Sequence, residues 1–106
     1  DGSFHQAVFD VAGDPENDAG VDPQTCAPTG PGADQLCATW RDPGFDSERA
    51  AVYYARIVEN PSCRWSTRRC LALPKAERPD GCSDPRIPKT VQERAWTSPI
   101  WVEPQD

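Results

Sequence analysis

The 106 residues carry 17 acidic and 11 basic side chains, a net charge of -6 that argues against a nucleic-acid partner. Seven glycines and twelve prolines favour loops and short strands over long regular elements. No apolar run approaches the ~18 residues of a membrane-spanning helix, and a chain of this length builds one small domain with a marginal core.

Asp1-Gly2 is a hairpin-turn signal with no strand in front of it. Phe4 to Ala12 follows as an expected strand, with Ala7, Phe9 and Val11 on one face. A missing neighbour would leave the edge of residues 4–12 unpaired. The expected partner is the N-terminal remainder of a parent polypeptide, or a second copy of the chain. The sequence starts at Asp1 and contains no Met, which reads as a mature form, a proteolytic fragment or a cloned domain.

Gly13 to Pro31 reads as a long acidic loop. Asp14, Glu16, Asp18 and Asp22 alternate through it in a way that resembles a calcium loop. The glycine falls one place late, at Gly20, and Thr25 stands where a closing Glu belongs, so a solvated loop is the favoured reading. Residues 1–50 hold ten acids and two bases, giving -8, whereas residues 51–106 hold seven acids and nine bases, giving +2.

Five cysteines in so short a chain point to an oxidising, periplasmic or extracellular setting. Zinc is disfavoured, because there is no Cys-x-x-Cys and His5 is the single His. Cys26 and Cys37 bracket a Pro/Gly-rich loop and are expected to pair. Such a closure contributes roughly 3 kcal/mol in the chain-entropy view. Cys63, Cys70 and Cys82 then allow one further bond, with Cys82 the preferred member, and leave one thiol free or paired to a missing segment.

Leu36 to Arg41 reads as a short strand with Leu36, Ala38 and Trp40 inward, turned by Asp42-Pro43-Gly44. Ala50 to Val58 is the densest apolar run. Its β-branched and aromatic residues, apolar on both faces, predict a central strand buried on two sides. A helix capped by Ser47, with Ala51, Tyr54, Ala55 and Val58 on one face, is the rival reading. Asn60-Pro61 turns the chain into an expected loop bearing Arg64, Trp65, Arg68 and Arg69. Their planar guanidinium forks suit phosphate, sulfate or carboxylate. The plainer alternative packs Trp65 on the core and pairs the arginines with the acidic half. For Arg94, in Gln92-Glu93-Arg94, an internal carboxylate pair is preferred over a ligand contact.

Leu71 to Lys89 is rich in Pro and charge. Ala95 to Val102 alternates as a strand, which Pro99 confines to an edge or a bulge. Four short strands and long loops give an all-β class, a partial β-sandwich-like single domain with disulfide-pinned loops. A whole sandwich needs about seven strands. No catalytic constellation is visible: there is no Gly-x-Ser-x-Gly elbow, no phosphate loop and no second His.

Three stretches carry a family resemblance. They are Val8 to Asp14 (VFDVAGD), Tyr53 to Arg56 leading into Asn60 to Thr67 (NPSCRWST), and Gln92 to Trp101 (QERAWTSPIW). In that order they resemble the C-terminal region of an exported bacterial family, domain of unknown function 3604. The resemblance implies a large preceding domain similar to the polymerase-and-histidinol-phosphatase class of metal-dependent hydrolases. It also implies a further strand before the Asp-Gly turn. Any divalent metal would belong to that parent, since none of its metal motifs is in this chain and no cofactor is expected here. The implied role is structural, completing a sheet and walling the parent's active-site cleft. The alternative is a free-standing extracellular binding module that uses the Arg64/Arg68/Arg69 loop.

Overall fold

Prolines and glycines divide the regular structure into short pieces. The computed structural model describes residues 2–105. In chain order these form β1 (Gly20–Val21), β2 (Pro28–Thr29), β3 (Ala51–Tyr53), β4 (Arg56–Val58), β5 (Ser62–Cys63), α1 (Trp65–Ala72), β6 (Thr90–Val91), β7 (Arg94–Trp96) and β8 (Ile100–Val102). Two single-turn 3-10 segments, Lys75–Glu77 and Asp80–Cys82, lie between α1 and β6. Strand is the dominant regular structure, and the fold is all-β in character, rich in loops and pinned by two disulfides. Every sheet among the described residues is two-stranded, so two packed sheets are not formed.

The frame is one antiparallel ribbon running from residues 51–63 against residues 90–102. Ala51 faces Val102, Arg56 faces Trp96, and Cys63 faces Thr90. Its register slips by one residue and then slips back. Between the first two blocks Tyr54-Ala55 opposes Thr97-Ser98-Pro99, so the extra residue lies on the Pro99 side. Between the next two, Glu59-Asn60-Pro61 opposes Gln92-Glu93, so the extra residue lies on the Pro61 side. Each slip is a bulge at a proline, which cannot donate to a ladder. Thr97 N–H to Ala55 O (3.0 Å) and Glu59 N–H to Glu93 O (3.0 Å) carry the ribbon across both.

The strand expected over residues 50–58 is present, in two pieces, and the rival helix is not formed. Its burial on two sides is corrected, because Tyr54, Ile57 and Val58 are exposed. A two-stranded ribbon has no sheet above or below it to cover a second face. The bulge expected of Pro99 is present.

Two other expected strands are not formed. Residues 4–12 and 36–41 have no ladder, and Phe4 and Val8 are 80% and 74% exposed. A strand requires a neighbour that meets its backbone groups; residues 36–40 approach with Trp40 against Phe9 and Leu36 near Gly13, but no backbone hydrogen bond joins the two segments. The Asp1 half of the Asp-Gly turn signal lies outside the described residues.

β1 and β2 make a small hairpin closed by residues 22–27. Asp22 organises it: its carboxylate accepts from Gln24 N–H (2.8 Å) and Thr25 hydroxyl (3.0 Å), and its carbonyl accepts from Cys26 N–H (2.7 Å). Gly30 at φ +74 is required at the exit, where a Cβ would lie 2.7 Å from Asp18 O. Asn60 ties the hairpin region to the ribbon, accepting from Asn17 Nδ2 (3.1 Å) and donating to Pro31 O (3.2 Å).

The expected Cys26–Cys37 bond is replaced by Cys26–Cys63, with Cα atoms 5.6 Å apart, and Cys37 is free and exposed. Shortness of loop had favoured Cys37. Loop-closure entropy grows only with the logarithm of length, so a partner 37 rather than 11 residues away costs about 1 kcal/mol more. The hairpin decides the pairing instead, because it presents Cys26 at its tip to Cys63 on β5. The second bond, Cys70–Cys82, falls within the expected set and includes Cys82.

Only Cys63 and Thr67 are buried among the described residues. The radius of gyration is 20.4 Å, against about 13 Å for a compact domain of this length. The chain is therefore an open frame, 70 Å in its longest dimension, without a closed apolar core.

Candidate functional site

The expected Arg/Trp loop is a helix. Nothing in its sequence announces one: Arg64 stands at the N-cap and no side chain caps the first turn. Tertiary bonds hold it instead. Lys89 O accepts from Arg64 N–H (3.0 Å) and from the Thr67 hydroxyl (2.7 Å), and Cys70–Cys82 staples its last turn. Arg78 Nε donates to Leu73 O (3.0 Å) and Lys89 Nζ to Cys82 O (2.6 Å), closing the lobe from residue 63 to residue 89.

Trp65, Arg68 and Arg69 stand at i, i+3 and i+4, so α1 carries them on one face. All three are exposed, Trp65 at 73%, while Thr67 turns inward. Arg64 is half-buried at the start of the helix. Packing of Trp65 on a core is thus corrected, since it points away from the little that is buried. Pairing of these arginines with the acidic half is also absent: the single ion pair among the described residues is Arg86–Asp84, at 2.7 Å. There two parallel contacts from Arg86 hold the Asp84 carboxyl below its ordinary range. Arg94 is not brought to this cluster. It sits in β7 opposite Val58, along the ribbon, and forms no carboxylate pair among the described residues.

Asp14, Glu16, Asp18 and Asp22 do not gather. Asp14 accepts from Glu16 N–H (2.9 Å) within its own turn, and Asp22 is committed to the 22–27 turn. No group of three or more His, Cys, Asp or Glu that could hold a metal occurs among the described residues.

A second cluster was not singled out in the sequence. Trp40, Arg41, Asp42, Phe45, Tyr53 and Ile100 line an open groove of about 500 Å³ over one face of the ribbon. The Asp42-Pro43-Gly44 turn builds it. Asp42 accepts from Gly44 N–H (2.8 Å) and from the Tyr53 hydroxyl (2.7 Å), so one carboxylate joins the turn to β3. The Tyr53 bond chiefly, with Gly44 second, lowers the Asp42 pKa. The same bond chiefly raises that of Tyr53, since ionising the phenol would give up the hydrogen bond it donates. Phe9 stacks on Trp40 at 5.0 Å and Trp40 meets Tyr53 edge-on at 6.4 Å, which covers this end of the ribbon from one side. The signal in the sequence was Trp40-Arg41-Asp42-Pro43-Gly44-Phe45, a turn flanked by aromatic residues. The opposite face, with Trp101 at 74% exposure, is bare.

No helix among the described residues is long and apolar enough to cross a membrane. Two disulfides fit an oxidising setting. The profile of a family described as protein of unknown function (DUF3604) matches residues 1–104. No curated protein and no solved structure matches the chain.

Proposed function

This chain belongs to the family of proteins of unknown function DUF3604, and from that premise we propose that it is the non-catalytic, C-terminal β-rich portion of an exported metal-dependent hydrolase. There it completes the fold and walls one side of the active-site cleft. Surface area carries the proposal. A compact monomer of this mass exposes about 5,900 Å², whereas this chain exposes 9370 Å². The excess, about 3,500 Å², is several times the ~800 Å² that one partner contributes to a standard interface. It is the scale of an obligate contact, a domain core cut open.

The hydrolase class, the metal and export rest on the family resemblance, with the two disulfides supporting export. The described residues do not fit a metal centre. Its ligands would belong to the larger body, and no catalytic step runs through this chain.

The exposed Trp65/Arg68/Arg69 face favours a second reading, a free-standing extracellular binding module for anionic groups through Arg64, Arg68 and Arg69. A helix-sized site leaves the surface excess without a purpose, so it ranks second.

Intact mass and sequence coverage of the protein from its source distinguish the two. A polypeptide several times longer, with a His-rich N-terminal half, is expected. A secreted, monodisperse chain of 106 residues would overturn the first reading in favour of the second. Purified alone, the chain is expected to turn over no phosphoester with any divalent metal, and metal-dependent turnover would also overturn it.

A further inference from the structure

The two edges of the ribbon differ in a way that identifies where a further strand adds. In an antiparallel pair, alternate residues direct both backbone groups at the partner, and those between direct them outward. Ala55 gives its N–H to Thr97 Oγ1 (2.9 Å) and accepts Thr97 N–H on its carbonyl (3.0 Å), and Glu59 gives its N–H to Glu93 O (3.0 Å). The inward residues of this strand are thus Ala51, Tyr53, Ala55, Ile57 and Glu59. Val52, Tyr54, Arg56 and Val58 direct their backbone groups outward, in unbroken phase, and no hydrogen bond among the described residues reaches these groups.

The other edge is interrupted. Its extra residue lies between Thr97 and Ile100, so the outward groups of Arg94 and Trp96 are out of step with those of Trp101. Pro99, at the interruption, has no N–H to give. The edge at residues 52–58 also lacks the usual protections against strand addition: it has no Pro, no Lys and no bulge, and Arg56 is its one charge.

We propose that residues 52–58 are the docking edge of this chain, and that an extended apolar strand of the larger body of the same polypeptide adds to it through Val52, Tyr54, Arg56 and Val58. This rests on the proposal that such a body exists. The surface excess of about 3,500 Å² argues for that source over a second copy of the chain. Edge pairing between copies engages four residues a side, where a standard interface engages roughly 20–30. Tyr54 and Val58, 54% and 45% exposed, flank the edge and would be covered by the added strand.

Hydrogen exchange, read at single amides, tests this on the purified chain and on the polypeptide isolated from its source. The amides of Val52, Tyr54, Arg56 and Val58 are expected to exchange freely in the chain alone and about 10-fold or more slowly in the source polypeptide. Slowing at Arg94, Trp96 and Trp101, with the four still free, would overturn the choice of edge and leave the larger body intact. Free exchange at both edges in the source polypeptide would overturn the edge and the larger body together. Slow exchange in the chain alone, with a concentration-dependent doubling of mass, would make the occupant a second copy. Tyr54→Pro, which removes one outward donor and no inward one, is expected to abolish the slowing at its neighbours Val52 and Arg56. Unchanged slowing there would overturn the proposal.

Discussion

Between Ser62 and Val91 the chain is closed on itself by a strand pair, a disulfide and hydrogen bonds that converge on Lys89 O. Between Gly2 and Ala50 it is held to the ribbon strands and their flanks at a few points: the Cys26–Cys63 bond, the Asn60 bonds to Asn17 and Pro31, the Asp42–Tyr53 and Ser47–Gln105 bonds and the Phe9–Trp40–Tyr53 contacts. Both regions lack an apolar core. One is ordered from within by short-range links, while the other borrows its order from the ribbon it lies against. Charge deepens the contrast, because the first fifty residues carry -8 and gain nothing by collapsing on themselves.

The widest break in that comparison comes from the disulfides. The Cys26→Ala/Cys63→Ala variant should lose about 4 kcal/mol of loop-closure stabilisation, given the 37-residue separation. Amides of residues 20–29 should then exchange near intrinsic rates, while those of residues 65–72 keep their protection. If the hairpin stays protected, it does not depend on the ribbon. The converse variant, Cys70→Ala/Cys82→Ala, should cost about 3 kcal/mol across its 12-residue separation and expose α1 alone. Peptide mapping without reduction should recover both links and one free thiol, Cys37.

Gly30→Ala probes the open region by itself. A side chain at φ +74, with Asp18 O 2.7 Å from its Cβ, should cost about 2 kcal/mol. Urea titration of hairpin protection measures it, and a neutral result would mean the exit turn relaxes freely. Within the stapled lobe, Thr67→Val keeps the shape and removes the hydroxyl bond to Lys89 O. It should cost about 1 kcal/mol, seen as faster exchange across residues 65–72. A larger loss would give that bond a greater share of the lobe than the disulfide.

The smallest effect is in pH. Asp42 has a lowered pKa, so its contribution is complete above the ordinary carboxylate range and is lost as pH falls through the lowered value. Tyr53 has a raised pKa, so its contribution is complete below the ordinary phenol value and is lost as pH rises through the raised one. The Trp40 environment, followed by fluorescence, should therefore stay constant between those limits and change beyond both. Tyr53→Phe should remove both changes. If they persist, the Asp42–Tyr53 bond is not what seats Trp40.

Part of the ribbon was legible in the sequence, because the β-branched and aromatic runs 50–58 and 95–102, the second interrupted by Pro99, describe strands wherever they pair, whereas Asn60-Pro61, expected to turn the chain, is a bulge within the ribbon. Three features were not. Residues 4–12 have strand composition but no hydrogen-bonded neighbour, and composition cannot supply one. Residues 65–72 have no capping side chain and span barely two turns, so the helix exists through Lys89 and Cys82, which are distant in sequence. The partner of Cys26 depended on a hairpin whose strands are two residues each, too short to leave a period. At the site, the shared face of Trp65, Arg68 and Arg69 could emerge only once the helix was known. The groove around Tyr53 required knowing that the 42–44 turn folds back over β3.

The paired slips at Pro61 and Pro99 make the ribbon a counted thread. Each strand carries one surplus residue, and the two surpluses cancel before the ribbon reaches Cys63 and Thr90. Substitution along either strand alters a side chain and leaves the count alone. Gain or loss of a single residue in one strand reverses which side every later residue faces, and carries Cys63 away from Cys26. Length variation within this ribbon can therefore be tolerated only as matched changes in both strands, so the two prolines are bound to each other although 38 positions separate them in the chain.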